Sequence, residues 1–163
     1  MKHLKTIVVY YSLTGNTKFV AEKIAQQLDA DLCKVTDKNF KKGRMLYIKG
    51  GAAAMREKLS DIHVEKTIDD YELVVVGSPV WAGKISPAIR TFFVNNNFSE
   101  KRLAFFVSIG GDKPEKTFEN LRKTTELESI VEDLGVTQPL KNKSDTEAQI
   151  TEWCNKLKAK IQS

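Results

Sequence analysis

Residues 12–17 are the part of the chain whose side-chain types and spacing most clearly indicate chemistry. They have the sequence Ser-Leu-Thr-Gly-Asn-Thr, follow an apolar run at residues 7–11, and precede apolar residues at helical spacing. A helix N-terminus presents unpaired N–H groups and a positive dipole end, and hydroxyl groups add donors. A simple helix cap would need only two polar residues, whereas five of these six are small or polar. The pattern predicts an anion-binding turn formed by Ser12, Leu13, Thr14, Gly15, Asn16 and Thr17.

Two further segments follow apolar runs and have unusual compositions. The first comes after the run at residues 73–76 and contains Pro79, Val80, Trp81, Ala82, Gly83 and Lys84. The second ends another run and contains Ser108, Ile109, Gly110, Gly111 and Asp112. In an open parallel sheet, ligands bind beyond the carboxyl ends of the strands. Both segments are therefore candidate walls of a ligand site, although the tryptophan could instead fill the core and the glycine pair could form an ordinary turn.

Strand and helix patterns alternate along the chain, which predicts an α/β protein with a parallel sheet covered on both faces. Strands are predicted at residues 6–11, 32–35, 73–76 and 103–109 and near Val136. Predicted helices begin near Asn16, at Ser86 with a proline in the first position, at Pro114 with a continuation toward Leu134, and at Ser144 with Glu147 completing a capping box. A weaker helical pattern covers residues 46–59. We expect one domain over residues 1–163.

Composition narrows the class of protein. The 163 residues are 41% hydrophobic, which suffices for one substantial core. There is neither a membrane-spanning apolar run nor a signal-peptide pattern, so we expect a cytoplasmic protein. Cys33 and Cys154 are far apart in sequence, and His3 and His63 are isolated. We therefore expect both cysteines in the core and no metal site.

Most of the net charge of +5 comes from residues 37–66, which include eight basic residues and four acidic ones. The segment can be interpreted as a solvated helix with its loops, or as a patch that attracts an anionic partner or cofactor. Nucleic acid is not expected as a partner, because aromatic residues are not interleaved with the lysines.

The three candidate segments together resemble those of the flavodoxin-like FMN-binding proteins. The resemblance lies in SxTGNT after the first strand, an aromatic-glycine loop after the third, and Ser-x-Gly-Gly after the fourth. It implies a three-layer α/β/α sandwich, a five-stranded parallel sheet of order 2-1-3-4-5, and FMN as the cofactor.

The resemblance also implies a role for each segment. Residues 12–17 would bind the FMN phosphate, with Gly15 allowing close approach. Residues 79–84 would border the isoalloxazine, with Trp81 stacking on the ring or meeting its edge and a backbone N–H near Ala82 or Gly83 meeting flavin N5. Residues 108–112 would line the pyrimidine edge through their backbone amides.

The chain departs from the family in its charge. Electron-carrying flavodoxins are similar to one another in being strongly acidic, whereas this chain is basic. Lys84 lies in the loop expected beside the ring and could stabilise negative charge on reduced flavin. We therefore expect a higher second-electron potential than in acidic relatives. The stretch from residue 37 to residue 71 is also longer than the compact family pattern needs.

Three functions remain open on the sequence alone. The first, which we favour, is an electron carrier between redox partner proteins, which needs no catalytic acid or base. The second is a small FMN-dependent NAD(P)H:quinone-type oxidoreductase, which would use NAD(P)H and a small acceptor. The third is a flavin-binding module with a structural or sensing role.

Overall fold

Strands and helices alternate in the computed structural model, which describes residues 3–40, 58–111, 114–125 and 130–162. The strands are β1 (Thr6–Tyr10), β2 (Asp31–Asp37), β3 (Ile62–Val64), β4 (Leu73–Trp81), β5 (Lys84–Ile85), β6 (Arg102–Ile109) and β7 (Ile130–Thr137). The helices are α1 (Asn16–Leu28), α2 (Pro87–Asn95), α3 (Glu115–Thr125) and α4 (Lys143–Gln162).

The sheet has the order β3-β2-β1-β4-β6-β7, and β5 pairs with β4 off this path. The strands β2, β1, β4, β6 and β7 are all parallel to their neighbours in that series. The predicted α/β class and the 2-1-3-4-5 order of the parallel strands are confirmed. The predicted strand count of five is wrong, because β3 and β5 are short antiparallel additions to β2 and β4.

Apolar side chains cover both faces of the sheet, which is why its central strands are continuous hydrophobic runs. On one face the core includes Val20 and Ile24 of α1 and Ile150 and Leu157 of α4. On the other face α2 and α3 contribute a set that includes Phe92, Phe93, Phe118 and Leu121. The sheet is thus the middle of three layers.

Both cysteines are fully buried, as the sequence predicts. They lie on opposite faces of the sheet. Cys33 of β2 belongs to the core beneath α2 and α3, and Cys154 of α4 belongs to the opposite core. Both are free thiols.

Two predicted helix starts are confirmed. The helix α1 begins at Asn16, after Gly15 in the N-cap position. In α2 the proline occupies the first position and the Ser86 hydroxyl accepts the N–H of Ile89 at 3.4 Å. A serine in that position satisfies one of the N–H groups that a helix start leaves unpaired.

Other local predictions are wrong. The helix α4 begins at Lys143, so Ser144 lies inside its first turn, and Glu147 pairs with Lys23 at 3.3 Å. The helix expected to continue toward Leu134 is described over Glu115–Thr125, and Leu134 lies in the strand β7 instead. The predicted helix over residues 46–59 lies outside the described residues up to residue 57, and residues 58–60 are not helical.

A glycine in β4 allows close contact between strand backbone and core. Gly77 lies beside Phe106 in the parallel register, and a Cβ atom at Gly77 would lie 2.0 Å from the Phe106 ring.

Among the described helices, none combines the length and the apolar character that a membrane span requires.

Candidate functional site

The three candidate segments leave the sheet at the same edge. Tyr10 of β1 lies beside Gly77 of β4, and Pro79 of β4 lies beside Ser108 of β6. Since these strands are parallel, the segments that follow them emerge together at their carboxyl ends. The structure therefore brings together the described residues of all three predicted segments. Asp112 lies outside the described residues.

Residues 12–17, which we call the hydroxyl-rich turn, are fixed to the end of β6. The hydroxyl oxygens of Thr17 and Ser108 lie 2.7 Å apart in a buried hydrogen bond. Within the turn, the Ser12 hydroxyl accepts the N–H of Gly15 at 3.1 Å. Gly15 has a φ of 97°, in the left-handed region that glycine adopts without strain.

The start of α1 has the features of an anion site. Within the described residues, no side chain makes a capping hydrogen bond there, in contrast to Ser86 at the start of α2. The first turn of a helix presents unpaired N–H groups at an end where the helix dipole favours negative charge.

A fourth loop, which the sequence analysis missed, borders this turn. The Asn16 side chain donates to the Thr14 hydroxyl at 3.0 Å and accepts the backbone N–H of Leu140 at 3.2 Å. The Leu140 side chain lies 3.6 Å from the position of a Cβ on Gly15. The only sequence signal for this contact is that Leu140 follows β7, the next parallel strand at the same edge.

The segment predicted as a loop after β4 is a β-hairpin. Val80 pairs with Ile85 and Trp81 pairs with Lys84, so β4 extends to residue 81 and returns as β5. Ala82 and Gly83 form the turn, with φ values of 51° and 76°. Positive φ at both central residues is the geometry of a type I′ turn, which suits the twist of a hairpin. This hairpin turn, Ala82 and Gly83, is exposed.

Trp81 is buried against aromatic side chains from outside the hairpin. Its side chain is 8% exposed, and its ring meets those of Tyr11 and Phe40 edge to face, at 5.8 Å each. The predicted contact of Trp81 with a ligand ring stays a prediction. In the structure its described neighbours are protein side chains.

Serines hold the base of the hairpin. The buried Ser78 hydroxyl accepts the N–H of Ser86 at 2.9 Å and lies 3.1 Å from the Ser86 hydroxyl. Neither serine belongs to the predicted site. Their contact joins the hairpin to the start of α2, so the hairpin leaves the sheet in a defined direction.

The glycine loop after β6 is tied to the end of β7. The carbonyl of Gly110 accepts the Gln138 side-chain amide at 3.0 Å, and the Gln138 N–H binds the carbonyl of Ile109 at 2.9 Å. A Cβ on Gly110 or Gly111 would meet no atom within 4 Å. The loop is thus anchored on one side and open on the other.

Two buried polar side-chain atoms belong to Asp37 and to Tyr11, whose ring contacts that of Trp81. Neither the Tyr11 hydroxyl nor Oδ2 of Asp37 finds a hydrogen-bond partner within the described residues. Burial raises the pKa of both groups, and the negative charge of Asp37 raises the pKa of Tyr11 further. The register of β1 and β2 places the two side chains on the same face of neighbouring strands.

The described residues of the three segments supply hydroxyl, amide, indole, ammonium and backbone groups, but no carboxylate, imidazole or thiol. No group of three His, Cys, Asp or Glu side chains able to hold a metal occurs in the part of the chain that the structure describes. The arrangement suits binding of an anionic ligand.

A family model described as Flavodoxin matches residues 5–157 of the chain. Among curated proteins, none matches significantly.

Several solved structures share the fold. A candidate flavoprotein from Bacteroides eggerthii is 21% identical, with a TM-score of 0.75 and coverage of 93% of this chain and 96% of its own. A flavoprotein from Lactobacillus acidophilus in complex with FMN is 20% identical, with a TM-score of 0.73 and coverage of 92% and 98%. A flavodoxin from the domain Archaea is 19% identical, with a TM-score of 0.58 and coverage of 95% and 99%. At sequence identities this low, the comparisons establish that the folds are similar.

The buried carboxyl group gives a prediction on pH and stability. Because the pKa of Asp37 is raised in the folded protein, folding favours its protonated form. The stabilising effect of that proton is complete below the ordinary pKa of 3.8 and is lost as the pH rises through the folded-state value. Asn39 donates its N–H to Oδ1 of Asp37 at 2.9 Å, an acceptor that asparagine retains. We therefore expect Asp37→Asn to increase the free energy of unfolding at pH 7.

Urea unfolding of both proteins between pH 7 and pH 3.5 measures this effect. The advantage of Asp37→Asn should shrink as the pH falls, because the wild-type carboxyl then takes up its proton. Asp70→Asn, at an exposed position, is the matched control and should have little effect at any pH. A variant less stable than the wild type at pH 7, or a constant difference across this range, would contradict the assignment.

Proposed function

The chain belongs to the flavodoxin family, and from that premise we propose that it binds FMN noncovalently and carries electrons between protein partners. The observation that carries this proposal is the hydroxyl-rich turn, where α1 starts at a left-handed glycine without a side-chain cap. Family membership and the FMN complex of the Lactobacillus acidophilus flavoprotein support FMN as the cofactor.

The donor set fits the phosphate of FMN. Ser12, Thr14 and Thr17 supply hydroxyl groups, and Asn16 supplies an amide at the N-terminus of a 13-residue helix. A doubly charged phosphate is stabilised there by N–H groups and by the dipole together. Gly15 has no side chain to obstruct the approach.

The hairpin and the glycine loop fit the walls of a flat ligand. Gly83, Gly110 and Gly111 all have open space where a Cβ would project, so their backbone can come close to a ligand. FMN, when bound, supplies the transfer of one or two electrons. The protein's contribution is to bind, to orient and to set the charge around the ring.

The charge of the hairpin favours reduction. Lys84 is half-buried in β5, directly after the hairpin turn. An ammonium group near reduced flavin stabilises added negative charge and raises the potential of the couple.

We further propose that the partners are redox proteins and that the protein is cytoplasmic. Cys33 and Cys154 are both free and lie in the cores on opposite faces of the sheet. Free buried thiols suit a reducing compartment. We propose neither nucleic acid nor membrane as a partner.

A second candidate is an FMN-dependent NAD(P)H:quinone-type oxidoreductase. The net charge of +5 and the position of Lys84 favour it, because pyridine nucleotides are anionic. The carrier remains preferred, since the described site segments contain no acid or base for proton transfer.

FMN titration into apoprotein tests cofactor binding directly. We expect FMN to bind at least about 100-fold more tightly than riboflavin, because charge-assisted hydrogen bonds to phosphate contribute about 1.5–3 kcal/mol each. Ser12→Ala should weaken FMN by roughly tenfold and leave riboflavin almost unaffected. Ser99→Ala, at an exposed site outside the three segments, is the control. Equal affinities for the two flavins would exclude the phosphate turn, and absence of FMN binding would exclude the proposed function.

Turnover with NAD(P)H separates the two candidate functions. We expect the FMN-loaded protein to oxidise NADH or NADPH with a quinone acceptor at rates close to those of free FMN. Reduction by a protein electron donor should instead be fast. Steady-state turnover with saturable dependence on a pyridine nucleotide would replace the carrier by the oxidoreductase.

Charge reversal at Lys84 tests the electrostatic effect. We expect Lys84→Glu to lower the potential for uptake of the second electron by on the order of tens of millivolts, because it exchanges an attractive charge for a repulsive one. Spectroelectrochemical titration measures the shift. Lys158→Glu makes the same charge change near the C-terminus of α4, away from the site, and should have a much smaller effect. Equal shifts in the two variants would mean that only net charge matters.

A further inference from the structure

We propose that Thr117 of α3 is a positioning residue for the hairpin turn. Its hydroxyl fixes the peptide group between Gly83 and Lys84, and the peptide group between Ala82 and Gly83 is thereby left to hydrogen-bond to the cofactor. The cofactor part of this inference depends on the proposed function, whereas the anchoring of the turn does not.

The contact is direct and partly buried. The Thr117 hydroxyl donates to the carbonyl of Gly83 at 2.9 Å, and Thr117 is 1% exposed. The two residues are 34 positions apart in the chain, so the bond joins two separate elements of the site. It is a tertiary contact that local sequence does not require.

Two other helical threonines bond within their own helices. Thr91 of α2 donates to the carbonyl of Pro87 at 2.8 Å, and Thr151 of α4 donates to the carbonyl of Glu147 at 3.0 Å. Both bonds run four residues back along the same helix, which is the usual partner of a helical threonine. Thr117 instead donates outside its helix, to the exposed turn.

The turn needs such an anchor because little else fixes it. β5 is two residues long, and a Cβ on Gly83 would meet nothing within 4 Å. Ala82 and Gly83 are both exposed. Thr117 thus supplies a buried attachment at the end of a short hairpin.

The anchor selects between the two peptide groups of the turn. The carbonyl of Gly83 belongs to the 83–84 peptide and is occupied by Thr117. Trp81 pairs with Lys84 across the hairpin. Among the described residues, no hydrogen bond is found to the carbonyl of Ala82 or from the N–H of Gly83, which are the two ends of the 82–83 peptide. The sequence leaves open which backbone group near Ala82 or Gly83 hydrogen-bonds to the flavin. The anchor narrows the candidates to the N–H of Gly83 and the carbonyl of Ala82.

The same helix connects the hairpin with the glycine loop. α3 begins at Glu115, shortly after Gly110 and Gly111. Pro114 packs so closely on β7 that a Cβ on Gly135 would lie 2.6 Å from its Cβ. Thr117 therefore attaches the hairpin to a helix start that is itself fixed against the sheet.

Three variants test the inference on apoprotein and on FMN-loaded protein. Thr117→Val keeps the shape and removes the donor, Thr117→Ser keeps the donor, and Thr151→Val is a control at a helical threonine bonded within its own helix. In apoprotein we expect Thr117→Val to shift the Gly83 and Lys84 amide resonances and to accelerate their hydrogen exchange. In loaded protein we expect roughly tenfold weaker FMN binding and a changed midpoint potential. Thr117→Ser should restore the FMN affinity and the midpoint potential, and Thr151→Val should change neither of them.

Each outcome decides the point. Unchanged hairpin resonances in Thr117→Val would overturn the anchor. A serine variant as impaired as the valine variant would show that the hydroxyl alone does not hold the turn, which would also overturn it. A shifted turn with unchanged FMN affinity and potential would overturn the role toward the cofactor. If wild-type protein binds no FMN, the proposed function fails while the apoprotein spectra still judge the anchor. Thr117→Ala provides the same comparison if the valine variant does not fold.

Discussion

The parallel register of β1, β4 and β6 is the constraint on which the candidate site depends. It sets Tyr10 beside Gly77 and Pro79 beside Ser108, so that three segments distant in sequence leave the sheet at one edge. Packing fixes this register, because the Phe106 ring occupies the space that a side chain on Gly77 would need. A different alignment would place the ring against a bulkier residue. The contact of Thr17 with the end of β6 then fixes the hydroxyl-rich turn to the same frame.

Local sequence predicted the elements whose signals are local. Apolar runs located the parallel strands, and the Ser86-Pro87 pair located the start of α2. The hairpin escaped prediction because Pro79 and Gly83 weigh against strands and because Ala82, unlike asparagine or glycine, gives no signal for a turn with positive φ. Its geometry is imposed by pairing across the hairpin and by the anchor from α3.

The residues that fix the site segments in place were harder to predict than the residues of the segments themselves. Sequence named Asn16 and Gly83 from their types and positions. The position of Leu140 after β7 was the only signal for its contact with Asn16, 124 residues away, and no signal indicated that Thr117 would bind Gly83. Such contacts depend on the relative placement of whole elements. Spacing along the chain carries almost no information about them, since the intervening strands and helices determine which side chains meet.

The starts of α1 and α2 show how stability and binding are divided in this fold. The Ser86 hydroxyl satisfies an N–H at the start of α2, whereas α1 starts without any side-chain cap. A polar cap stabilises a helix by roughly a few tenths of a kcal/mol more than a glycine in the same position, so Gly15 costs α1 little. In the proposed function, the FMN phosphate would supply acceptor oxygens to the first-turn N–H groups. Because such a ligand binds the folded chain and not the unfolded one, its binding free energy stabilises the fold. The start of α1 is therefore suited to couple the binding of such a ligand to folding.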